Sequence, residues 1–338
     1  MRLTIWCFLL SLVLILVNAP LIFSQDNLKA QVEDIKAKAN SLNKQMEDPA
    51  NAEKYETLKT EWEKLDSQLK ELTDKINAIK NKDVLAKKKF NDGNKHLKTG
   101  RYSEAVAEYK RSLELEPNNP MAFYMLGYAQ TKLKAYDDAK EAFKKALELS
   151  PNYAAVYIAL GNISSKEKNT SEALNYYNKA IELDSTLIKA HFGIGNVYLR
   201  TKKNAQAEAA YRKAVKIKDN FGDGWINLGR ALAAQKKSKE AVTALEKGVK
   251  LNPKSVAGYY QLAEAYNSTK SYTKALGAAD KCLKLKRKYA AAWYEKGIAL
   301  MSLGRKKEAV AAFTKAKEDR VWRERSNYFI QKIQGKIQ

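Results

Sequence analysis

The stretch Asn118–Pro151, NNPMAFYMLGYAQTKLKAYDDAKEAFKKALELSP, carries the reading of the whole chain. Counted with Pro120 as position 1, it puts Phe123, Leu126, Gly127, Ala139, Phe143, Ala146 and Pro151 at positions 4, 7, 8, 20, 24, 27 and 32. Small residues at positions 8, 20 and 27 let two amphipathic helices cross closely, and the bulky residues fill the space around the crossing. Neither helix can bury its apolar face alone, so the unit needs copies of itself.

The copies are present. In steps of 34 residues alanine recurs at Ala105, Ala139, Ala173, Ala207, Ala241, Ala275 and Ala309. Position 8 reads Gly93, Gly127, Gly161, Gly195, Gly229, Ala263 and Gly297, and position 24 reads Tyr109, Phe143, Tyr177, Tyr211, Leu245, Ala279 and Phe313. The period and these residues resemble the tetratricopeptide (TPR) helix-turn-helix repeat over about three quarters of the chain. The resemblance implies an all-α, right-handed superhelical solenoid of seven repeats over residues 83–319. It says little of a ligand, because the motif residues are packing residues.

Outward from the repeats, residues 320–338 are expected to form a capping helix, with Trp322, Phe329 and Ile330 covering the last repeat and Arg323, Glu324 and Arg325 facing water. On the other side, apolar residues from Leu28 to Met46 and again from Tyr55 to Ile79 follow a heptad spacing. The phase breaks at Asp48-Pro49, which suits a helix start. Residues 25–82 are therefore expected to be a coiled coil or helical hairpin, either folded back on itself or zipped with other copies. Repeat one departs from the pattern, with Lys89 and Asp92 at positions 4 and 7. Residues 1–24 read as a secretory signal peptide cleaved after Ser24, with an uncleaved membrane anchor as the alternative. The expected location is the bacterial periplasm or the exterior; sequons at Asn162, Asn169 and Asn267 would be glycosylation candidates only in a eukaryotic secretory pathway.

The chain has 61 basic and 38 acidic side chains, a formal net charge of +23. Residues 25–82 hold 11 basic and 12 acidic side chains, so the excess lies in the repeats. With cleavage only Cys282 remains, which excludes an internal disulfide; at position 27 it reads as a small buried residue. His96 and His191 fall at packing positions, and the sequence shows neither a metal-ligand cluster nor a phosphate loop. Catalysis and a cofactor thus find no support.

Helix A positions 2, 5, 9 and 12 share one face by their spacing, and the family resemblance implies that this face lines a concave groove, with positions 5 and 9 as its candidate residues. They are Phe90, Tyr124, Ile158, Phe192, Ile226, Tyr260 and Tyr294, beside Asn94, Tyr128, Asn162, Asn196, Arg230 and Glu264. Rings and carboxamides together suit an extended peptide. The family's carboxylate clamp for chaperone tails is matched at only one of its five positions, by Asn94. Position 26 is basic throughout, as Arg111, Lys145, Lys179, Lys213, Lys247, Lys281 and Lys315, near the end of helix B where the helix dipole favours a cation. The expected function is a non-catalytic exported scaffold holding a protein or peptide segment in the groove. One alternative is an electrostatic adaptor for an anionic glycan, lipid or other polymer on these basic ridges, nucleic acid being disfavoured. A second is a subunit that homo-oligomerises through the coil.

Overall fold

A computed structural model describes residues 25–336, and the expected signal segment lies outside them. All regular structure among the described residues is helical: sixteen α-helices and one 3₁₀ segment. The chain forms two compact units that meet in sequence at Ala135 and Tyr136.

The first unit opens with α1 (Gln25–Glu47), a 3₁₀ turn (Pro49–Lys54) and α2 (Tyr55–Lys98). Asp48 caps the turn by accepting from the Ala50 amide at 3.0 Å, with proline at the first turn position. That reverses the chain, and α1 packs back on α2 as a hairpin. Its core is small: Leu28, Val32 and Ile76 are buried, with Leu69, Leu72 and Ile79 against them. The expected boundary near residue 82 is not a break, since α2 runs through it unbroken and its last turns are helix A of repeat one. Then follow α3 (Tyr102–Leu115) and α4 (Pro120–Lys132). The two irregular residues of repeat one have separate fates. Lys89 pairs with Glu108 at 3.0 Å, whereas Asp92 is simply half-buried.

The second unit begins with α5 (Tyr136–Leu149) and continues as helix pairs: α6 (Ala154–Lys166) with α7 (Thr170–Leu183), α8 (Ile188–Arg200) with α9 (Asn204–Ile217), and α10 (Gly222–Ala234) with α11 (Ser238–Leu251). Two more pairs follow, α12 (Val256–Ser268) with α13 (Tyr272–Leu285) and α14 (Ala290–Ser302) with α15 (Lys306–Ala316), before α16 (Arg323–Ile333). Within this unit each helix after α5 packs on its predecessor, and the A helices α6 with α8, α10 with α12 and α12 with α14 also touch, so its repeats stack as a solenoid. As expected, α16 covers the end, with the ring of Phe329 stacked on Phe313 at 5.2 Å and Trp322 against Tyr294 at 4.7 Å.

Every A–B turn has the same form. The amide of position 16 reaches back to the carbonyl of position 11, as in Lys203 to Tyr198 at 2.9 Å and Lys237 to Leu232 at 3.0 Å, the bond of a Schellman cap. Position 15 must then be left-handed. Gly100 (φ 75°) and Gly304 (φ 76°) supply this in the first and last repeats, but Lys134, Lys168, Lys202, Lys236 and Lys270 do so between them, at φ 59° to 66°.

Candidate binding groove

Packing of the helix pairs decides which groove positions are free. A Cβ added to Gly161 would lie 2.7 Å from the Tyr177 ring, and one added to Gly195 2.5 Å from that of Tyr211. Glycine at position 8 is thus the space taken by the ring at position 24. Gly93 with Tyr109 and Gly297 with Phe313 repeat the arrangement. Where position 24 shrinks to Ala279, position 8 grows to Ala263, and both are fully buried.

A buried tyrosine needs a partner for its hydroxyl. Tyr109 donates to Asn94 Oδ1, Tyr177 to Asn162 Oδ1 and Tyr211 to Asn196 Oδ1, each at 2.7 Å. Burial pushes the Tyr109 and Tyr177 phenols up to about 12 and Tyr211 higher still, so they remain donors. This corrects the expectation for the three asparagines. Their oxygens are committed to the core, and only the amide NH2 remains to face a ligand. Asparagine occupies position 9 in repeats one, three and four, the same three that have tyrosine at position 24.

Ile158 and Ile226 are also misplaced by the groove expectation, being 8% and 5% exposed and part of the core. Phe90 packs on Tyr109 at 5.6 Å, and Phe192 lies between Tyr211 at 5.6 Å and Phe221 at 5.0 Å. Tyr294 is enclosed by Phe313, Trp322 and Phe329. Tyr124 and Tyr128 sit side by side in the first unit at 6.5 Å. The open part of the face lies in the second unit, where a cleft of about 460 Å³ runs between α10 and α12. Arg230, Ala233, Tyr260, Gln261 and Glu264 line it. Four of these are at positions 5, 9 and 12, the predicted face; Gln261, at position 6, was not expected there.

Tyr260 is half-buried against Tyr289, edge to face at 5.6 Å, and its phenol is raised by burial and by the Glu264 carboxyl that it faces. The Glu264 side chain has an exposed edge, yet its carboxyl is hemmed in by protein; desolvation raises it, and Tyr260 and Arg230 pull the other way. One helix further on, Glu295 is 6% exposed. Asn267 donates to its Oε2 at 2.8 Å and to its backbone oxygen at 2.9 Å. Burial, reinforced by Glu264 and opposed by Asn267, brings the Glu295 carboxyl up to about 7. No sequence rule pointed to Glu295, which reads as an ordinary helix-surface glutamate.

The basic ridge at position 26 has a structural account. Lys179, Lys247 and Lys281 lie over the position-4 rings of their own repeats, Tyr157, Trp225 and Tyr259, at 5.8, 4.1 and 5.7 Å. Arg111 pairs with Glu108, and Lys315 with Glu318 at 3.0 Å. The position-4 rings in turn bond the carbonyl six residues back: Tyr157 to Pro151, Trp225 to Asp219 and Trp293 to Arg287, with His191 Nε2 at 2.9 Å from that of Ser185. His191 is thus a loop fastener. Cys282 is buried, its thiol raised to about 11 by burial and donating to Val256 O at 3.3 Å. No group of three or more His, Cys, Asp or Glu among the described residues is arranged to hold a metal ion.

Tetratricopeptide-repeat family models match residues 93–134 and 166–202, 120–153, 222–265, and 188–221, 256–289 and 290–318. The chain belongs to the tetratricopeptide-repeat family. No curated protein matches it at a significant level. Among solved structures it is similar to YrrB, described as a TPR protein with an unusual peptide-binding site, at 26% identity and a TM-score of 0.50, over 55% of this chain and 98% of that one. It also resembles Pseudomonas aeruginosa PilF, at 17% identity, TM-score 0.57, over 63% and 96%. A third is the C-terminal part of a TPR protein from Cytophaga hutchinsonii, at 20% identity, TM-score 0.55, over 70% and 98%. At those identities the last two speak to fold alone. The TPR family generally serves as a protein-interaction scaffold, and that coarse role is this chain's as well.

Proposed function

We propose that this TPR protein is an exported, non-catalytic scaffold that holds an extended segment of a partner protein in the groove of its second unit. The observation behind this is the cleft between α10 and α12, open on the face shared by the A helices and lined by a ring, the three charges of Arg230, Lys236 and Glu264, and small residues that leave room for a backbone. YrrB, 26% identical and described as having an unusual peptide-binding site, supports the same reading. Export rests on the apolar run at residues 3–23 alone. The test uses the full chain and a pool of random peptides about twelve residues long. Ala233 is exposed on the cleft wall, so Ala233→Trp fills the cleft without disturbing the core. It should weaken pool binding by about tenfold or more, the scale of one lost hot spot. Lys213→Ala, outside the groove, should leave binding alone. Equal binding by Ala233→Trp and wild type would remove the groove reading.

A second reading, contact with an anionic polymer, has one observation in its favour. Five lysines occupy left-handed turn positions where glycine is less strained, so their charge is kept at a backbone cost. Its signature would be binding that falls steeply with salt and survives Ala233→Trp.

A further inference from the structure

Position 9 is bound to the core wherever position 24 is tyrosine, because a buried hydroxyl requires an acceptor. In repeats five and six position 24 is Leu245 and Ala279, with no hydroxyl to satisfy. Position 9 is there Arg230 and Glu264. Packing does not call for either charge, and neither residue has an ion-pair partner within 4 Å among the described residues. Both line the cleft.

Arg230 and Lys236 line the cleft on the α10 side, and Arg230 acts on Glu264 from there; on the α14 side of Glu264 no cation among the described residues answers it. Glu295 is more than nine-tenths buried and carries no cation, only the amide of Asn267. Two further oxygens, Gln261 Oε1 and Asn267 Oδ1, are buried without a hydrogen-bond partner. Glu264 and Glu295 both act on the Tyr260 phenol, whose own hydroxyl turns to Glu264; Gln261 lines the same cleft, and Asn267 holds Glu295 behind it. Acceptors left unfilled in a protected place are costly, and the group that would fill them is a cationic donor. The Tyr260 ring beside them offers a face to the same group.

We propose that the Tyr260–Glu264–Glu295 end of the groove is a subsite for a lysine or arginine side chain of the bound segment. This rests on the groove reading and adds the chemistry of the partner to it. The chain as a whole bears a net charge of +23, so unspecific attraction selects acidic peptides and repels basic ones. A preference for basic residues can then only come from a local site.

The full chain is immobilised, the random-peptide pool is passed over it, and the bound fraction is sequenced. Wild type should enrich Lys and Arg at one position, and acetylating the lysines of a selected lysine-bearing peptide should weaken it about tenfold. Glu264→Gln, at an exposed edge, should bring the enrichment down to the level of the input while leaving the melting temperature in place. Glu295→Gln should lower the enrichment likewise while raising stability above neutral pH, with Gln261→Ala as a milder companion. Peptides that bind wild type with no basic preference, or with one that Glu264→Gln leaves intact, overturn the subsite and leave the groove standing. Absence of any bound peptide, or binding unmoved by Ala233→Trp, overturns both.

Discussion

Repeats four and six share a backbone and differ at three positions that read as one. Repeat four has Gly195, Asn196 and Tyr211; repeat six has Ala263, Glu264 and Ala279. In the first the tyrosine fills the crossing, takes the room of a side chain at position 8 and ties position 9 to its hydroxyl. In the second two alanine methyls fill the crossing, and position 9 is released. A packing choice in the core thus sets whether a groove residue is structural or available. The neighbouring repeat seven carries the consequence, because Glu295 is buried where an apolar residue would serve stability better.

The largest expected effect lies at that residue. With its carboxyl near 7 when folded against an ordinary 4.5, the folded protein keeps a proton that the unfolded chain releases. The contribution of this one group to stability is therefore most favourable below about pH 4.5, falls as pH rises toward 7, and above that becomes a full penalty of roughly 3 kcal/mol, at 1.36 kcal/mol per pKa unit. Glu295→Gln keeps an acceptor for Asn267 and removes the charge. Urea unfolding near pH 8 should show the variant more stable by up to that amount, and near pH 4 the two should coincide. A gain of equal size at both pH values would mean that burial does not penalise the charge.

The next test breaks the comparison at the crossing itself. Gly195→Ala drives a methyl into the Tyr211 ring and should cost about 1–3 kcal/mol. Asn196→Ala leaves that tyrosine's hydroxyl without its acceptor and should cost about 1–2 kcal/mol, less if water reaches it. The matching change in repeat six, Glu264→Ala, frees only the hydroxyl of Tyr260, which lines the open cleft where water replaces the lost acceptor, and should stay within roughly 0.5 kcal/mol. Thermal unfolding of the three variants gives the ranking. If Glu264→Ala cost as much as Asn196→Ala, position 9 would be structural in both repeats, and the contrast between them would dissolve.

Much of this was open to inspection in the chain. The 34-residue step gave the helix pairs, the break in heptad phase gave the turn at Asp48-Pro49, and the apolar Trp322 and Phe329 gave the capping helix, because each depends on local spacing or on a residue with one strong backbone preference. The pairing of asparagine at position 9 with tyrosine at position 24 was also visible as a correlation across repeats, though reading each column separately hides it. Ile158 and Ile226 were not readable, since a helix face is wider than the groove and its edge is fixed by what packs against it: Ile226 fills the space beside Gly248 of its own repeat and Gly258 of the next. The lysines over rings escaped for a related reason: columns 4 and 26 look independent until the helices are paired. Glu295 looked like any helix-surface glutamate, because burial at position 6 depends on the curvature between repeats.

The smallest effect concerns what the two repeats have in common. Both turn from helix A to helix B through a left-handed lysine, Lys202 in repeat four at φ 59° and Lys270 in repeat six at φ 60°. A non-glycine residue pays about 1–2 kcal/mol in that conformation, and glycine is free of it but loses more entropy on folding. A lysine just past the end of a helix also recovers about 0.3–1 kcal/mol from the helix dipole. The balance predicts that Lys202→Gly stabilises the protein by no more than about 1 kcal/mol, and that Lys270→Gly does the same, whatever the repeat's core contains. Gly304→Lys should lose a similar amount. Chemical denaturation resolves differences of this size when the variants are compared in parallel. If Lys202→Gly or Lys270→Gly instead destabilised the chain, the lysine side chain would have a folded-state role beyond its charge. Equal gains at both sites with retained peptide binding would place the turns outside the groove's function, whereas a loss of salt-sensitive binding in the same variants would assign the turn lysines to an anionic partner.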